Sequence, residues 1–350
     1  MRSTSVAALS ALLLLAATAR AEPAHFYRLE RSFPLSGAAP SWDYLAFDPT
    51  RPYLYIGRRE DGVTVFDVEA GKVVAVIENS KDANAVTLVP EFDRGYTGNE
   101  DGTTTIFQLS TLKTIERVKF GEDADAGFYE PVTRQMVFTQ GDSKSLAFLD
   151  AKSGKLLGKM ATSSGKLDAT VADGQGTLFT AERDRNAVLR TDAKSRKAIG
   201  EWKTEGCEQP TSLAYDQPRK RLFVGCRGKA PVLLVMDAES GRAIVTLEIG
   251  RGNDGVIYDP DSRKIFASNG VDGNLQVFDQ QDADHYRLEE AVTTRPSART
   301  MALDGKTKKL YLVTAEGAVD PAKPVNKGVS PFYPNVYFDD SFTILVYSRR

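Results

Sequence analysis

Trp42-Asp43-Tyr44-Leu45-Ala46-Phe47-Asp48-Pro49 is the stretch that shows how this chain is built. It is a short apolar strand that ends at Asp-Pro, and the pattern returns further along the chain. Asp254-Gly255-Val256-Ile257-Tyr258-Asp259-Pro260 repeats it, and Thr211-Ser212-Leu213-Ala214-Tyr215-Asp216 repeats it without the proline. Self-similarity at a regular spacing indicates a repeat architecture.

The residue that ends each first strand marks the period of the repeat. These seven anchors are Asp48, Val89, Glu130, Asp173, Asp216, Asp259 and Asp304. Their spacings are 41, 41, 43, 43, 43 and 45 residues. A period of about 40–45 residues is typical of a four-stranded propeller blade. The sequence therefore predicts an all-β fold, a seven-bladed β-propeller.

Turn residues support four strands in each unit. Asp-Gly pairs, which tight hairpins prefer, separate second and third strands at 61–62, 101–102 and 272–273. Gly-Lys or Gly-Arg pairs separate third and fourth strands at 71–72, 154–155 and 241–242.

The seventh unit lacks its fourth strand. After Arg299, strand patterns occur only at 299–304, 310–313 and 341–348, whereas 26–35 is a spare strand that precedes the first unit. We predict that this N-terminal strand completes the last blade and closes the ring. Closure removes the exposed sheet edge on which aggregation would start.

The first 21 residues have the features of a cleaved export signal. Arg2 precedes an apolar run of 12 residues from Val6 to Ala17, and Ala19-Arg20-Ala21 fits a cleavage site. The run is shorter than the ~20 residues that span a bilayer. We expect a signal peptide at 1–21, one propeller domain at 22–350, no membrane span, and a periplasmic or secreted location.

Charge, cysteine and histidine content narrow the function classes. Lys and Arg number 45 against 47 Asp and Glu, so the net charge is -2 and nucleic acid is not the expected partner. Cys207 and Cys226 favour a disulfide in an oxidising compartment, with a reactive thiol as the alternative. Neither His25 nor His285 falls at the predicted rim, so a serine triad or a histidine-based zinc site lacks support.

Polar residues recur in register at one rim of the predicted ring. Positions five residues before the anchors and the ends of the second strands share that face, and we expect a ligand site there. The candidate ligand-binding residues are Asp43, Arg58, Asn84, Asp125, Asp168, Glu182, Asp254 and Arg299. The carboxylates suit an amine or a divalent cation such as calcium, and the arginines suit a carboxylate. The alternative is a water-filled channel whose aspartates bond turn amides.

A long loop, 316–340, leaves the same face. It contains Pro321, Pro324, Pro331 and Pro334 together with the aromatic residues Phe332, Tyr333, Tyr337 and Phe338. Loops of this length often act as lids or binding loops. We expect an ordered, lid-like loop over the channel mouth, and the alternative is a floppy surface insertion.

Three segments carry a family resemblance. They are Trp42-Asp43-Tyr44, then Val224-Gly225-Cys226-Arg227 with Cys207 upstream, and Arg299-Thr300-Met301-Ala302-Leu303-Asp304. With the repeated strand-Asp-Pro segments, they make residues 26–350 resemble the YncE-type family of exported seven-bladed propellers with YVTN-like repeats. The resemblance implies a periplasmic protein associated with alcohol catabolism that uses the quinone cofactor PQQ. Asn84 stands where relatives often have His.

These observations favour a monomeric, exported, non-catalytic binding or scaffold protein. Its site at the polar channel mouth would take a small molecule or a periplasmic protein partner, and a divalent cation such as calcium is the one cofactor considered. The first alternative is a metal-assisted lactonase or lyase at the same face. The second is an interaction module that acts through the outer or the opposite face.

Overall fold

The computed structural model describes residues 26–37, 41–325 and 330–349. The predicted signal peptide, 1–21, lies outside the described residues. Within them the chain forms seven four-stranded antiparallel sheets and one two-stranded sheet. The prediction of an all-β, seven-bladed propeller is confirmed. None of the described segments forms a helix of the length and apolarity needed to cross a membrane.

The strands are numbered in chain order. The first fifteen are β1 Tyr27–Leu35, β2 Leu45–Phe47, β3 Tyr53–Gly57, β4 Val63–Asp67, β5 Lys72–Val76, β6 Ala83–Val89, β7 Arg94–Asn99, β8 Thr103–Gln108, β9 Thr114–Lys119, β10 Gly127–Glu130, β11 Gln135–Gln140, β12 Ser145–Asp150, β13 Leu156–Ala161, β14 Leu167–Ala172 and β15 Thr177–Glu182. The others are β16 Ala187–Asp192, β17 Lys197–Lys203, β18 Pro210–Asp216, β19 Arg221–Cys226, β20 Val232–Asp237, β21 Ala243–Glu248, β22 Asn253–Asp259, β23 Lys264–Asn269, β24 Asn274–Gln280, β25 Tyr286–Thr293, β26 Met301–Leu303, β27 Leu310–Thr314, β28 Gly317–Ala318, β29 Val336–Tyr337 and β30 Phe342–Arg349. Two short 3₁₀ turns occur among them, Pro90–Phe92 and Arg183–Arg185.

Blades 1 to 6 each use four consecutive strands, from β2–β5 to β22–β25. The first strands of neighbouring blades contact one another around the ring, and β26 of blade 7 contacts β2 of blade 1. The ring is therefore closed around a channel. Its walls are the first strands β2, β6, β10, β14, β18, β22 and β26.

Blade 7 is completed by the N-terminal strand, as predicted. Its strand order is β26, β27, β30 and β1. β1 pairs with β30 from Tyr27 opposite Arg349 to Leu35 opposite Phe342, with one irregularity between Leu29 and Arg31. Both ends of the described chain thus lie in one sheet.

Aromatic side chains fill the seams between blades. One set lies on second strands and another on third strands, and every member of both sets is fully buried. They are Phe138, Phe179, Phe223 and Phe266 on second strands and Phe66, Phe107, Phe148 and Phe278 on third strands. Such side chains bury the largest apolar areas. The repeat therefore places large buried rings at equivalent positions in several blades.

The acidic anchors work as turn caps. Asp48 accepts hydrogen bonds from the Thr50 amide at 2.8 Å and the Thr50 hydroxyl at 2.7 Å, and Asp304 accepts one from the Lys306 amide at 2.9 Å. Asp side chains favour this geometry because they mimic a backbone turn. Val89 cannot accept a hydrogen bond through its side chain, and the 3₁₀ turn Pro90–Phe92 follows it.

Candidate functional site

The loops at one end of the ring enclose a cavity at the mouth of the channel. Its volume is about 920 Å³, a size found for small-molecule sites. Every blade contributes to the lining. Most of the contributing residues lie at the start of the first strands or just after the second strands, which is the rim that the sequence pattern predicts, and the others belong to the loop 316–340.

Six of the eight candidate ligand-binding residues line this cavity. They are Asp43, Asn84, Asp125, Asp168, Asp254 and Arg299. The structure therefore brings together residues that are up to 256 positions apart in the sequence. Their role in binding stays a prediction.

Irregular strand pairing directs three of these side chains into the channel. Asn84, Asp168 and Asp254 are each the second residue of a first strand. At each of these positions the register to the second strand shifts. A bulge adds an unpaired residue and re-aims its side chain, so a repeated backbone feature presents polar groups to the cavity.

Arg58 and Glu182 lie outside the cavity lining. The Arg58 guanidinium donates to the Ser36 carbonyl at 3.1 Å, pairs with Asp61 at 3.0 Å and lies 4.5 Å from the Phe342 ring centroid. Arg58 thereby ties the segment after β1 to blades 1 and 7. The Glu182 carboxylate lies 3.5 Å from the Arg185 guanidinium.

In five blades the cavity-facing residue is one position later than the residue that the sequence pattern marks as the end of the second strand. Successive side chains along an extended chain alternate between faces, so a one-residue offset changes which side chain reaches the channel. The lining residues at this later position are Arg59, Glu100, Gly141, Arg183 and Arg227. Aligning the repeats one residue later in the sequence would have identified these five residues.

Ion pairs within and between blades organise most of the mouth. Arg59 pairs with Asp43 at 3.1 Å and also with Glu100. Arg299 pairs with Asp254 at 2.9 Å, and Arg227 pairs with the other carboxylate oxygen of Asp254.

Asp168 is held by two partners. The Tyr44 hydroxyl donates to one oxygen of its carboxylate at 2.6 Å, and the Arg183 guanidinium lies 3.4 Å from the other. Burial raises the pKa of Asp168 to about 7, and the charge of Asp254 adds to the shift. Burial also raises the pKa of Tyr44 and of Asp43.

Among the described residues, several acceptors at the mouth have no partner, and one of them is the exposed carboxylate of Asp142. No hydrogen-bond or ion-pair partner of the Asp125 carboxylate is found among the described residues. Burial and the charges of Asp43 and Asp168 raise the pKa of Asp125 well above its ordinary value. In the neighbouring blade, Asn84 is 6% exposed, donates from Nδ2 to the Ala124 carbonyl at 3.3 Å, and has a buried Oδ1 without a partner.

Part of the long loop lies beside the cavity. Tyr333, Pro334, Asn335 and Tyr337 contribute to its lining, and β28 pairs with β29 to form a small hairpin at the base of the loop. The Tyr337 ring packs edge-on against buried Trp42 at 5.4 Å, and its hydroxyl lies 2.8 Å from the Ser297 hydroxyl. Residues 326–329 of the loop lie outside the described residues.

The two cysteines form the expected disulfide. It joins Cys207, before β18, to Cys226, at the end of β19, with 5.5 Å between their Cα atoms. Both residues are buried in the seam between blades 4 and 5. A disulfide is compatible with a compartment outside the cytoplasm.

The donor geometry gives no direct support for a metal site. Across residues 26–37, 41–325 and 330–349, no group of three or more His, Cys, Asp or Glu side chains is arranged to hold a metal ion. Calcium binding remains a prediction of the sequence.

Comparisons with known proteins bear on the fold alone. No protein-family profile matches the sequence, and no curated protein matches it. One chain of the solved structure "Crystal Structure of Mitotic Checkpoint Complex" is similar, with a TM-score of 0.72 and 13% identity over 99% of this chain and 98% of that chain. Because 1817 chains of solved structures match, the likeness identifies a widespread fold that hosts many unrelated functions.

Proposed function

We propose that this chain is a non-catalytic binding propeller that takes a small polar ligand at its channel mouth. The observation that carries the proposal is the pair of unpartnered acceptors, the Asp125 carboxylate and Asn84 Oδ1, in the wall of a cavity of about 920 Å³. Buried polar groups normally have hydrogen-bond partners, and Asn84 Oδ1 is a buried acceptor that has none among the described residues. A ligand that supplies donors would satisfy both this oxygen and the partly buried carboxylate of Asp125.

The proposal extends to family and location. The three segments that resemble YncE-type propellers, the export-signal pattern at 1–21 and the disulfide between Cys207 and Cys226 all support an exported protein that is periplasmic or secreted. The same resemblance supports a role in PQQ-associated catabolism. PQQ itself is a polyanion, and the lining contains seven acidic side chains against five basic ones, so the cavity does not suit PQQ as a resident group.

No specific observation favours the metal-assisted lactonase or lyase. That reaction needs an ion held by several carboxylates, and the described part of the chain lacks such a group. The proposed function is therefore binding, with the lid-like loop as part of the site.

Thermal unfolding in the presence of a compound library tests the proposal. A ligand that binds only the native state raises the melting temperature by mass action. We expect hits among small polar compounds, and we expect Asp125→Asn to lose that stabilisation. Asp282→Asn is the matched control, since Asp282 is an exposed carboxylate paired with His285 outside the cavity lining. Hits that stabilise both variants equally, or an absence of hits, would contradict the proposal.

A further inference from the structure

The arginines that line the mouth all pair with carboxylates other than that of Asp125. The pairs are Arg59 with Asp43 and with Glu100, Arg183 with Asp168, and both Arg227 and Arg299 with Asp254. Lys166, the remaining basic residue of the lining, is exposed. The described lining contains seven acidic side chains against five basic ones, so the charge of the mouth favours a cation over an anion as ligand.

The Asp125 carboxylate is both partly buried and without a partner among the described residues. The Asp142 carboxylate also lacks one in the described chain, but it is exposed and water can hydrate it. Burial, followed by the charges of Asp43 and Asp168, raises the pKa of Asp125 well above its ordinary value. A cation beside Asp125 would stabilise its ionised form.

Asn84 supplies a second acceptor from the neighbouring blade. Its Nδ2 donates to the carbonyl of Ala124, the residue before Asp125, at 3.3 Å, and this bond orients the amide. Its Oδ1 is a buried oxygen with no partner in the described chain, on a side chain that is 6% exposed. An amide oxygen accepts hydrogen bonds and donates none, so a ligand that satisfies it has to supply a donor.

The Tyr44 hydroxyl is a third acceptor beside these two groups. The Tyr44 amide donates to the Asn84 carbonyl at 2.9 Å, so the two residues are neighbours. The hydroxyl proton is donated to Asp168 at 2.6 Å, and the phenolic oxygen keeps its accepting lone pairs. Burial and the charges of Asp168 and Asp125 raise the pKa of Tyr44, which keeps the hydroxyl protonated at neutral pH.

An organic cation matches these acceptors better than a metal ion does. In the described ranges no group of three or more His, Cys, Asp or Glu side chains is arranged to hold a metal, whereas calcium takes about six to eight oxygen ligands. An ammonium ion has three N–H donors and needs one acceptor for each of them. It also brings the positive charge that Asp125 lacks.

We propose that the ligand of the channel mouth is a primary amine, bound as its ammonium ion. The ammonium group donates to the Asp125 carboxylate, to Asn84 Oδ1 and to the Tyr44 hydroxyl oxygen. This assignment rests on the proposed function, because it names the ligand class of the same cavity.

Thermal unfolding with four probes at constant ionic strength tests this assignment at pH 7.5. The probes are n-butylammonium chloride, butyltrimethylammonium chloride, which has the charge but no N–H donor, 1-butanol, which has no charge, and calcium chloride. An alkylamine is charged at this pH, because its pKa is close to the ~10.4 of lysine. The dependence of the melting temperature on probe concentration gives the dissociation constant. We expect n-butylammonium to bind and the other three probes to bind at least tenfold more weakly, a difference of about 1.4 kcal/mol.

Two variants test the acceptors and one variant is a control from the same mouth. Asp125→Asn should weaken n-butylammonium binding at least tenfold, and Asn84→Leu, which removes Oδ1, should also weaken it. Asp142→Asn removes an exposed carboxylate of the same lining and should change the affinity less than threefold. The melting temperature of each variant without ligand shows whether it is folded, and either acceptor variant suffices if the other does not fold.

The outcomes distinguish the ligand class from the site. Butyltrimethylammonium or 1-butanol that binds as tightly as n-butylammonium would overturn the amine assignment, and so would an equal loss of affinity in Asp142→Asn and Asp125→Asn. Calcium that stabilises the wild type more than n-butylammonium does would assign the site to a metal and overturn it as well. If amines fail but other library hits stabilise the wild type and not Asp125→Asn, the channel mouth remains the site. If no compound stabilises the wild type, both proposals fail.

Discussion

Glu182 shows how much one buried carboxyl contributes to the pH dependence of stability. It is 1% exposed, and burial raises its pKa to about 7, with the neighbouring Glu201 carboxyl adding to the shift. A carboxyl whose pKa is higher in the folded state than in the unfolded state binds more protons when folded. Its contribution to stability is therefore present below its ordinary pKa and is lost as pH rises to about 7.

Substitution of this residue isolates the effect. We expect Glu182→Gln to be more stable than the wild type at pH 8, by on the order of 2 kcal/mol, with the difference shrinking as the pH falls towards 4. Urea denaturation at several pH values measures it. Glu239→Gln, at an exposed glutamate that pairs with Lys220, should leave the curve unchanged. A Glu182→Gln difference that is constant with pH would contradict the assignment.

At the scale of single residues, the sequence predicts where a side chain lies better than it predicts which residue that side chain contacts. The repeat places Asp43, Asp125 and Arg299 at the mouth because position within a blade repeats with the period. It does not predict that Asp168 accepts from Tyr44, 124 residues away. Such a contact joins different blades, and its geometry depends on bulges in the first strands that leave no clear mark in the sequence.

At the scale of elements, the N-terminal strand decides whether the ring closes. β1 supplies the fourth strand of blade 7 and pairs with β30 along nearly its whole length. Its first residue also contacts blade 6, because the Tyr27 ring packs edge-on against Phe266 at 5.5 Å and the Tyr27 amide donates to Glu290 at 2.9 Å. Without β1, β30 presents an unpaired edge, and the seam between blades 6 and 7 loses the contacts of Tyr27.

Deletion of residues 26–35 should therefore unfold or aggregate the protein, since unpaired strand edges promote association between chains. Static light scattering and circular dichroism measure this outcome. A synthetic peptide of residues 26–35, added during refolding, should restore a folded monomer. The matched control removes only residues 22–25. A protein without 26–35 that melts like this control would contradict the closure of the ring by β1.

Strands that follow the blade repeat were predictable from the sequence, whereas elements that depart from the repeat were not. Three strands in the last unit and one spare strand at the N-terminus lead to the closure that the structure confirms. The hairpin of β28 and β29 was not expected, because two-residue strands inside a proline-containing loop show no alternation. The 3₁₀ turn Pro90–Phe92 likewise departs from the repeat where Val89 replaces the acidic cap.

At the scale of the whole molecule, the repeated features stabilise the fold, whereas the rim residues that differ between blades form the candidate site. Seams of buried aromatic residues hold the blades together, and the rim is left to vary from blade to blade. The result is a mouth with acids on blades 2 and 3, whereas Arg227 of blade 5 and Arg299 of blade 7 both pair with Asp254 of blade 6. Net charge gives no hint of this polarity, because 45 basic and 47 acidic residues nearly cancel over the chain.

The Asp125 carboxylate has no partner among the described residues, and we expect it to gain one when a ligand brings a cation to it. Asp43, Asp168 and Asp254 face it and raise its pKa, whereas Arg59 lowers it. A bound ammonium group stabilises the ionised carboxyl, so binding should release a proton from the site. Titration of a cationic hit from the compound library in phosphate and in imidazole, two buffers with different ionisation enthalpies, measures this release near neutral pH. We expect wild-type protein to release protons on binding and Asp125→Asn to bind more weakly without that release. Binding that releases as many protons in Asp125→Asn as in the wild type, or no binding at all, would contradict the claim.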